Sequence, residues 1–321
     1  MRIIITGVAG FIGYSLAKHL LTSKKNIKIL GIDNLNNYYS VRFKKKRLRN
    51  LRNKYFYFKK IDICDYKKTE KIFKSFKPTV VINLAAQAGV RYSIEFPEKY
   101  IKSNINGYFN IIELCKKFNV KRIIYASSSS VYGDSKEFPL KEDLAVKPKN
   151  IYALSKKFNE ELSEIYSKLY NIQFIGLRLF TVYGEWGRPD MFFFKYLSAA
   201  MFKNFFYLNN YGNHSRDFTY IKDAVEIISA LLFKKLKLNN SHEIYNICSS
   251  SPVKLDKIIK HLNKYVNSPK IIKRKLQKAD VIKTFGDNKK IVSYTNYKNF
   301  TKISEGIKKV SLWYLNNKNI F

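Results

Sequence analysis

Short apolar runs rich in β-branched residues recur through the first half of the chain, at residues 2–6, 27–33, 56–62, 79–86, 122–126 and 174–178. A run that stays apolar without alternation suits a strand buried on both faces, as in a parallel sheet. Between the first two runs, Leu16, Ala17, Leu20 and Leu21 recur at helical spacing and would share one face. Strand–helix alternation of this kind predicts an α/β fold, a Rossmann-type doubly wound parallel sheet. A chain of 321 residues has room for two units. We expect a nucleotide-binding domain over residues 1–178 and a smaller C-terminal α/β substrate-binding domain over residues 179–321, with some segments interleaved.

The first strand runs straight into Gly7-Val8-Ala9-Gly10-Phe11-Ile12-Gly13, and the helical spacing starts directly after it. A strand, a glycine turn and a helix make the unit that holds a dinucleotide pyrophosphate, because unpaired N–H groups and the positive end of the helix dipole face the phosphates. Any Cβ in the turn would hold the phosphate away from the backbone. Gly7, Gly10, Phe11, Ile12 and Gly13 are therefore expected to cradle the cofactor, although the spacing is Gly-x-x-Gly-x-x-Gly. Asp33 ends the second strand 20 residues beyond Gly13, with Asn34 next to it. An acid in that place meets the adenosine ribose hydroxyls and repels a 2′-phosphate, so the cofactor expected is NAD and not NADP. Asp62 and Ile63 follow the third strand and are placed to reach the adenine. Leu84, Ala85, Ala86 and Gln87 end the fourth strand in mostly small residues that let the cofactor come close.

Tyr152 and Lys156 are four residues apart and on a helix would share one face. A free tyrosine, with a pKa of about 10, is a poor base at neutral pH. An ammonium one turn away, helped by the positive charge of an oxidised nicotinamide, favours the phenolate and brings that pKa toward the working range. Upstream, the fifth strand ends in Ser127-Ser128-Ser129-Ser130. Ser128 is expected to orient the substrate oxygen and share its proton. A Tyr-x-x-x-Lys pattern alone says little in a chain with 24 tyrosines. Placed after a dinucleotide turn and a serine-ended strand, it predicts redox chemistry on an alcohol carbon, with Tyr152 and Lys156 beside the cofactor.

These residues carry a close family resemblance. From residue 1 to about residue 315 the chain resembles an extended short-chain dehydrogenase/reductase, specifically a nucleotide-sugar epimerase, and the nearest subgroup is UDP-glucuronate 4-epimerase. Besides the glycine turn and Tyr152 to Lys156, the stretches Gln87-Ala88-Gly89-Val90-Arg91-Tyr92-Ser93 and Trp186-Gly187-Arg188-Pro189-Asp190-Met191 are similar to that subgroup in particular. The resemblance implies a cycle with retained NAD: the sugar 4-hydroxyl is oxidised, the 4-keto sugar turns over, and hydride returns to the opposite face. It implies that Arg188, Thr181, Ser129 and Ser130 hold the sugar carboxylate, and that Arg216 meets the diphosphate. Met191, Asn209 and Tyr211 would line the uridine side, with Arg91 and Gln277 also at the substrate. Decarboxylating relatives usually carry glutamate where this chain has Ser130, which argues against UDP-xylose formation. Glu185 stands where the subgroup usually has proline, close to the carboxylate grip, where a second negative charge would weaken it. Residues 277–280 replace a more usual Gln-Pro-Gly-Asp turn. A homodimer through helices near residues 99–118 and 152–170 is implied as well.

Composition adjusts the picture little. The first strand begins at residue 2, which reads as a chain without a signal peptide, and no stretch reaches the roughly 20 apolar residues of a membrane helix. Three cysteines at unpaired spacing suit reduced thiols in a cytoplasmic protein, and four scattered histidines show no ligand spacing, so no metal is expected. The net charge of +36 raises a rival reading, a basic nucleic-acid-binding protein. Only 11 of the 60 basic residues are arginine, however, and the lysines spread through every segment instead of forming a stripe. We therefore expect no specific nucleic-acid partner and no membrane partner. Among enzymes, the alternatives are a 4-epimerase of UDP-glucose or UDP-N-acetylglucosamine and a UDP-glucuronate decarboxylase.

Overall fold

The structure, a computed structural model, describes residues 1–23, 26–234, 242–277 and 280–320. Its strands in chain order are β1 (Arg2–Thr6), β2 (Lys28–Asp33), β3 (Phe56–Lys60), β4 (Val80–Asn83), β5 (Arg122–Ser128), β6 (Gln173–Leu179), β7 (Thr181–Tyr183), β8 (Phe205–Asn209), β9 (Ser215–Tyr220), β10 (His242–Ile247), β11 (Pro252–Lys254) and β12 (Lys270–Arg274). Seven of them form one sheet in the order β10-β6-β5-β4-β1-β2-β3, and every neighbouring pair is parallel. The doubly wound parallel sheet read from the apolar runs is thus the observed architecture.

The continuous apolar runs are explained by the two faces they serve. Ile3 and Ile5 pack against Leu16 and Leu20 of helix Phe11–Ser23 and Ile228 of helix Ile221–Phe233. Ile4 turns to the opposite face, among Ile111 and Cys115 of helix Gly107–Lys117. Successive side chains of a strand point to opposite faces, so a strand covered on both sides needs apolar residues at every position. Burying each such side chain contributes about 2 kcal/mol.

The remaining strands build smaller sheets, β11-β9-β7 and the parallel pair β12-β8. Strand β10 returns to the large sheet and pairs with β6 from His242 to Ile247. The order reverses at β1, with β2 on one side and β4 on the other. Connections leave on opposite faces there and open a crevice at the carboxyl ends of the strands, where ligands bind in folds of this class. Among the described residues no helix is long and apolar enough to cross a membrane.

Candidate active site

A cavity of about 460 Å³ opens at that switch point, over the ends of β1, β2, β4, β5 and β6. Thr6 ties its floor together: its Oγ1 donates to Asn83 Oδ1 at 2.6 Å and accepts from the Ala85 backbone N–H at 3.1 Å. Gly7 has a φ of +68°, and a Cβ on it would sit 2.8 Å from the Ala85 nitrogen. At Gly13 a Cβ would lie 2.3 Å from the Gly7 carbonyl oxygen. The turn therefore holds its shape only with glycine, and it brings the first helix within reach of the cavity. Gly7, Gly10, Phe11, Ile12 and Gly13 all line it.

Asp33 also faces the cavity, and it does more than end a strand. Its Oδ2 accepts from the Ala9 N–H at 3.0 Å and its Oδ1 from the Leu35 N–H at 2.8 Å, so it braces the glycine turn. Burial raises its pKa, and those hydrogen bonds together with Lys44 and Arg47 act against the rise. Asn34 donates to Asp62 Oδ2 at 3.1 Å, which sets Asn34, Asp62 and Ile63 side by side on the wall. Strand β4 stops at Asn83, and Leu84, Ala85, Ala86 and Gln87 run on as a loop along the same cavity. A cradle that glycine alone fits, a helix end, a carboxylate and a small-residue wall suit a dinucleotide.

Ser128 closes β5, and Tyr152 lies in the first turn of helix Ile151–Tyr170, where the Asn150 side chain caps by accepting from the Ala153 N–H. The structure brings Ser128, Tyr152 and Lys156 onto one wall of the cavity. Burial pushes the Tyr152 phenol up, while the Ser128 hydrogen bond and the Arg188 charge act to lower it. Lys156 is pushed down to about 8 by burial, and its ammonium donates to the Ala126 carbonyl at 2.8 Å. The lysine Nζ reaches back to β5, and the Arg188 charge also acts on the phenol.

Ser129, Ser130, Thr181, Arg188, Met191 and Arg216 line the rest of the cavity. Arg216 donates to the Ile282 carbonyl at 2.7 Å and also to that of Val281, and burial lowers its pKa to about 10. Arg91 stays at the rim, paired with Asp280 at 2.5 Å, and with the Asn209 amide turned oxygen-first it also donates to Asn209 at 2.8 Å. Tyr211 is 52% exposed in a left-handed turn, and Gln277 is exposed; neither forms part of the cavity wall. Of the altered turn, residues 278 and 279 lie outside the described residues. Glu185 does not crowd the grip: its carboxylate accepts from the Tyr220 hydroxyl at 2.6 Å and 2.8 Å and points away from the cavity.

Several contributors carried no sequence signal. Asn104 accepts from the Gln87 N–H at 2.7 Å and donates to the Gln87 carbonyl at 3.1 Å and to Ser155 at 3.0 Å, so it fixes both the β4 loop and the Tyr152 helix. It sits in a π-helical turn, Ile101–Asn106, where helical spacing fails. Lys44 and Arg47 belong to the basic run Lys44-Lys45-Lys46-Arg47-Leu48-Arg49 yet turn inward with Phe43. The 43, 44, 47 spacing, which puts these residues on one helix face, was the available clue.

The profile of the NAD dependent epimerase/dehydratase family matches residues 3–248. An uncharacterised protein of Methanocaldococcus jannaschii is 43% identical over 99% of this chain and 97% of its own length. The UDP-glucuronate 4-epimerase of Thermodesulfobacterium geofontis is 39% identical over 97% of this chain and 95% of that one. Among solved structures, UDP-glucuronic acid 4-epimerase from Bacillus cereus, in complex with UDP-glucuronic acid and NAD, superposes with a TM-score of 0.92. It is 30% identical and covers 98% of this chain and 99% of that chain.

Proposed function

The chain belongs to the NAD dependent epimerase/dehydratase family, and we propose that it converts UDP-glucuronate to UDP-galacturonate by inverting C4 through a transient 4-keto sugar. The observation that carries this reading is one cavity holding two groups of residues: Ser128, Tyr152 and Lys156, and the Arg188, Ser129, Ser130 and Thr181 set. It agrees with the activity of the relatives just described.

Gly7, Gly10, Phe11, Ile12 and Gly13 would hold the NAD pyrophosphate, Asp33 and Asn34 the adenosine ribose, Asp62 and Ile63 the adenine, and Leu84 to Gln87 the nicotinamide half. When bound, NAD supplies the acceptor and later the donor of hydride for C4. Ser128 orients the 4-hydroxyl, and Tyr152 takes its proton as hydride leaves and gives one back after the sugar has turned over. Lys156 keeps positive charge next to that proton exchange. No net redox results. Arg216 would bind the diphosphate, with Met191 and Asn209 toward the uridine and Arg91 also at the substrate, so that remote binding energy retains the intermediate while the sugar moves.

The 4-keto intermediate is a β-keto acid and loses carbon dioxide readily. Arg188, Ser129, Ser130 and Thr181 would hold its carboxylate in an orientation that resists this loss, and Ser130 in place of glutamate fits retention. Two helices support a homodimer: Ile101, Phe109, Leu154, Phe158, Ile165 and Leu169 are all exposed although apolar. Free thiols at Cys64, Cys115 and Cys248 suit the cytoplasm, and activated galacturonate suits the building of a surface polysaccharide.

The test is to mix purified protein with UDP-glucuronate, without added NAD, and follow products by proton NMR. UDP-galacturonate is expected. UDP-pentose with carbon dioxide would overturn the carboxylate assignment, and turnover of UDP-glucose or UDP-N-acetylglucosamine alone would move the substrate.

A further inference from the structure

Arg188 enters the cavity with one edge of its guanidinium already occupied. Its Nε donates to Asp190 Oδ1 at 3.0 Å and its Nη2 donates to Asp190 Oδ2. Tyr38 holds the carboxylate from the other side, its hydroxyl donating to Oδ2 at 3.1 Å. The guanidinium lies 5.5 Å from the centre of the Tyr38 ring. Burial works against the charge on Arg188, but Asp190 beside it holds the guanidinium firmly protonated. Among the described residues Nη1 has no hydrogen-bond partner, and Arg188 lines the cavity close enough to act on Tyr152.

A planar guanidinium grips a carboxylate best through two parallel bonds, and a dry, fully charged pair of that kind is hard to release. Asp190 takes the Nε edge and leaves the Nη1 side for a second carboxylate. It also sets its own negative charge against that second carboxylate. An epimerase acting on a uronic acid has a particular need here. Its sugar ring must turn over between the two hydride transfers, and the carboxylate at C5 moves with it. A full-strength grip would stabilise the first orientation as much as anything later, and binding spent on one ground state slows the cycle.

We propose that Asp190, anchored by Tyr38, is a positioning and specificity-determining residue that tempers the hold of Arg188 on the sugar carboxylate so that the keto intermediate can turn over. The inference rests on the glucuronate reading above. Asp190 touches neither substrate nor cofactor in this account; it acts through Arg188. Removing its charge strengthens the grip and slows release, so the keto sugar turns over more slowly.

The experiment compares wild type with Asp190→Asn, both loaded with NAD, by calorimetric binding of UDP-glucuronate and UDP-glucose and by NMR product analysis. The expected result is UDP-glucuronate bound about tenfold more tightly and kcat about tenfold lower, with UDP-galacturonate still the product and UDP-glucose affinity unchanged. A merely structural role would weaken both ligands together, and that outcome, or unchanged or weaker UDP-glucuronate binding, overturns the proposal. Should Asp190→Asn fail to fold, Tyr38→Phe keeps the carboxylate and removes its anchor; a smaller shift of the same sign is expected, and the opposite sign overturns it. Wild type that leaves UDP-glucuronate unchanged overturns the glucuronate reading and this inference with it. Normal wild-type turnover with an unaltered variant overturns the inference alone.

Discussion

Arg47 and Ala9 lie 38 residues apart in sequence and meet through a 2.9 Å hydrogen bond, Nη1 of the guanidinium donating to the Ala9 carbonyl in the middle of the glycine turn. The same fully buried side chain donates from Nη2 to the carbonyls of Trp186 and, at 3.2 Å, Gly187. One cation thus ties the cofactor turn to the loop that carries Arg188. Its guanidinium also stacks 4.4 Å from the centre of the Phe43 ring, which covers one face.

Replacing Arg47 by methionine keeps most of the volume and leaves three carbonyls without their donor. Each unsatisfied buried acceptor costs about 1–3 kcal/mol, so a clear drop in unfolding free energy is expected. NAD affinity should fall with it, since the turn loses its brace. Chemical denaturation and cofactor titration measure the two effects. Arg47→Lys, able to reach one side only, should fall between; a methionine variant as stable as wild type would contradict the bracing role.

Tyr152→Phe keeps the ring, including its edge-on contact with Tyr100 at 6.1 Å, and removes the proton acceptor. Conversion of UDP-glucuronate should fall by roughly 10²–10⁴-fold with NAD binding and thermal stability retained. Turnover near wild-type level would remove Tyr152 from the reaction.

Lys44 lines the cavity and donates to the backbone carbonyl and side-chain oxygen of Asn36, both at 2.8 Å. Burial pushes it down to about 8. Between pH 8 and its ordinary range, the unfolded chain holds a proton on this lysine that the folded chain has shed. The unfolded state then binds more protons, so this group makes stability rise with pH across that window. Urea unfolding at pH 8, 9 and 10 should therefore show a more positive slope in wild type than in Lys44→Met. Equal slopes would mean that Lys44 keeps an ordinary pKa.

The exposed apolar residues of helix Ile151–Tyr170 offer a direct check on assembly. Leu154 and Leu169 are 53% and 65% exposed. Changing both to glutamate should leave the fold intact and convert a dimer into a monomer in analytical ultracentrifugation. Wild type that sediments as a monomer would show that this face has another use.

Much of the site was legible because its motifs act over one or two turns of chain. Gly7 to Gly13 can be read as a phosphate cradle since turn, helix end and missing Cβ atoms are all local. Tyr152 and Lys156 share a helix face for the same reason. Asp33 could be placed because strand, helix and strand in such a unit have nearly set lengths. Tyr211 and Gln277 show the limit: their sequence neighbourhood matches a binding region, yet the backbone leaves them outside the cavity wall. Glu185 shows it again, since its distance from Arg188 along the chain says nothing about which way its carboxylate turns.

Periodicity was thus enough to determine the parallel sheet, and the glycine turn and Tyr152-x-x-x-Lys156 picked out residues that the fold gathers on the wall of one cavity. Tertiary structure alone decided how the site is held and charged. The Asn104 clamp on Gln87, the Arg47 brace from Ala9 to Gly187, the Lys156 bond to Ala126 and the Tyr38 anchor on Asp190 join residues 17 to 152 positions apart. No local preference encodes such pairs. They exist because packing apolar faces around the sheet brings these polar groups into dry surroundings, where each must find a partner.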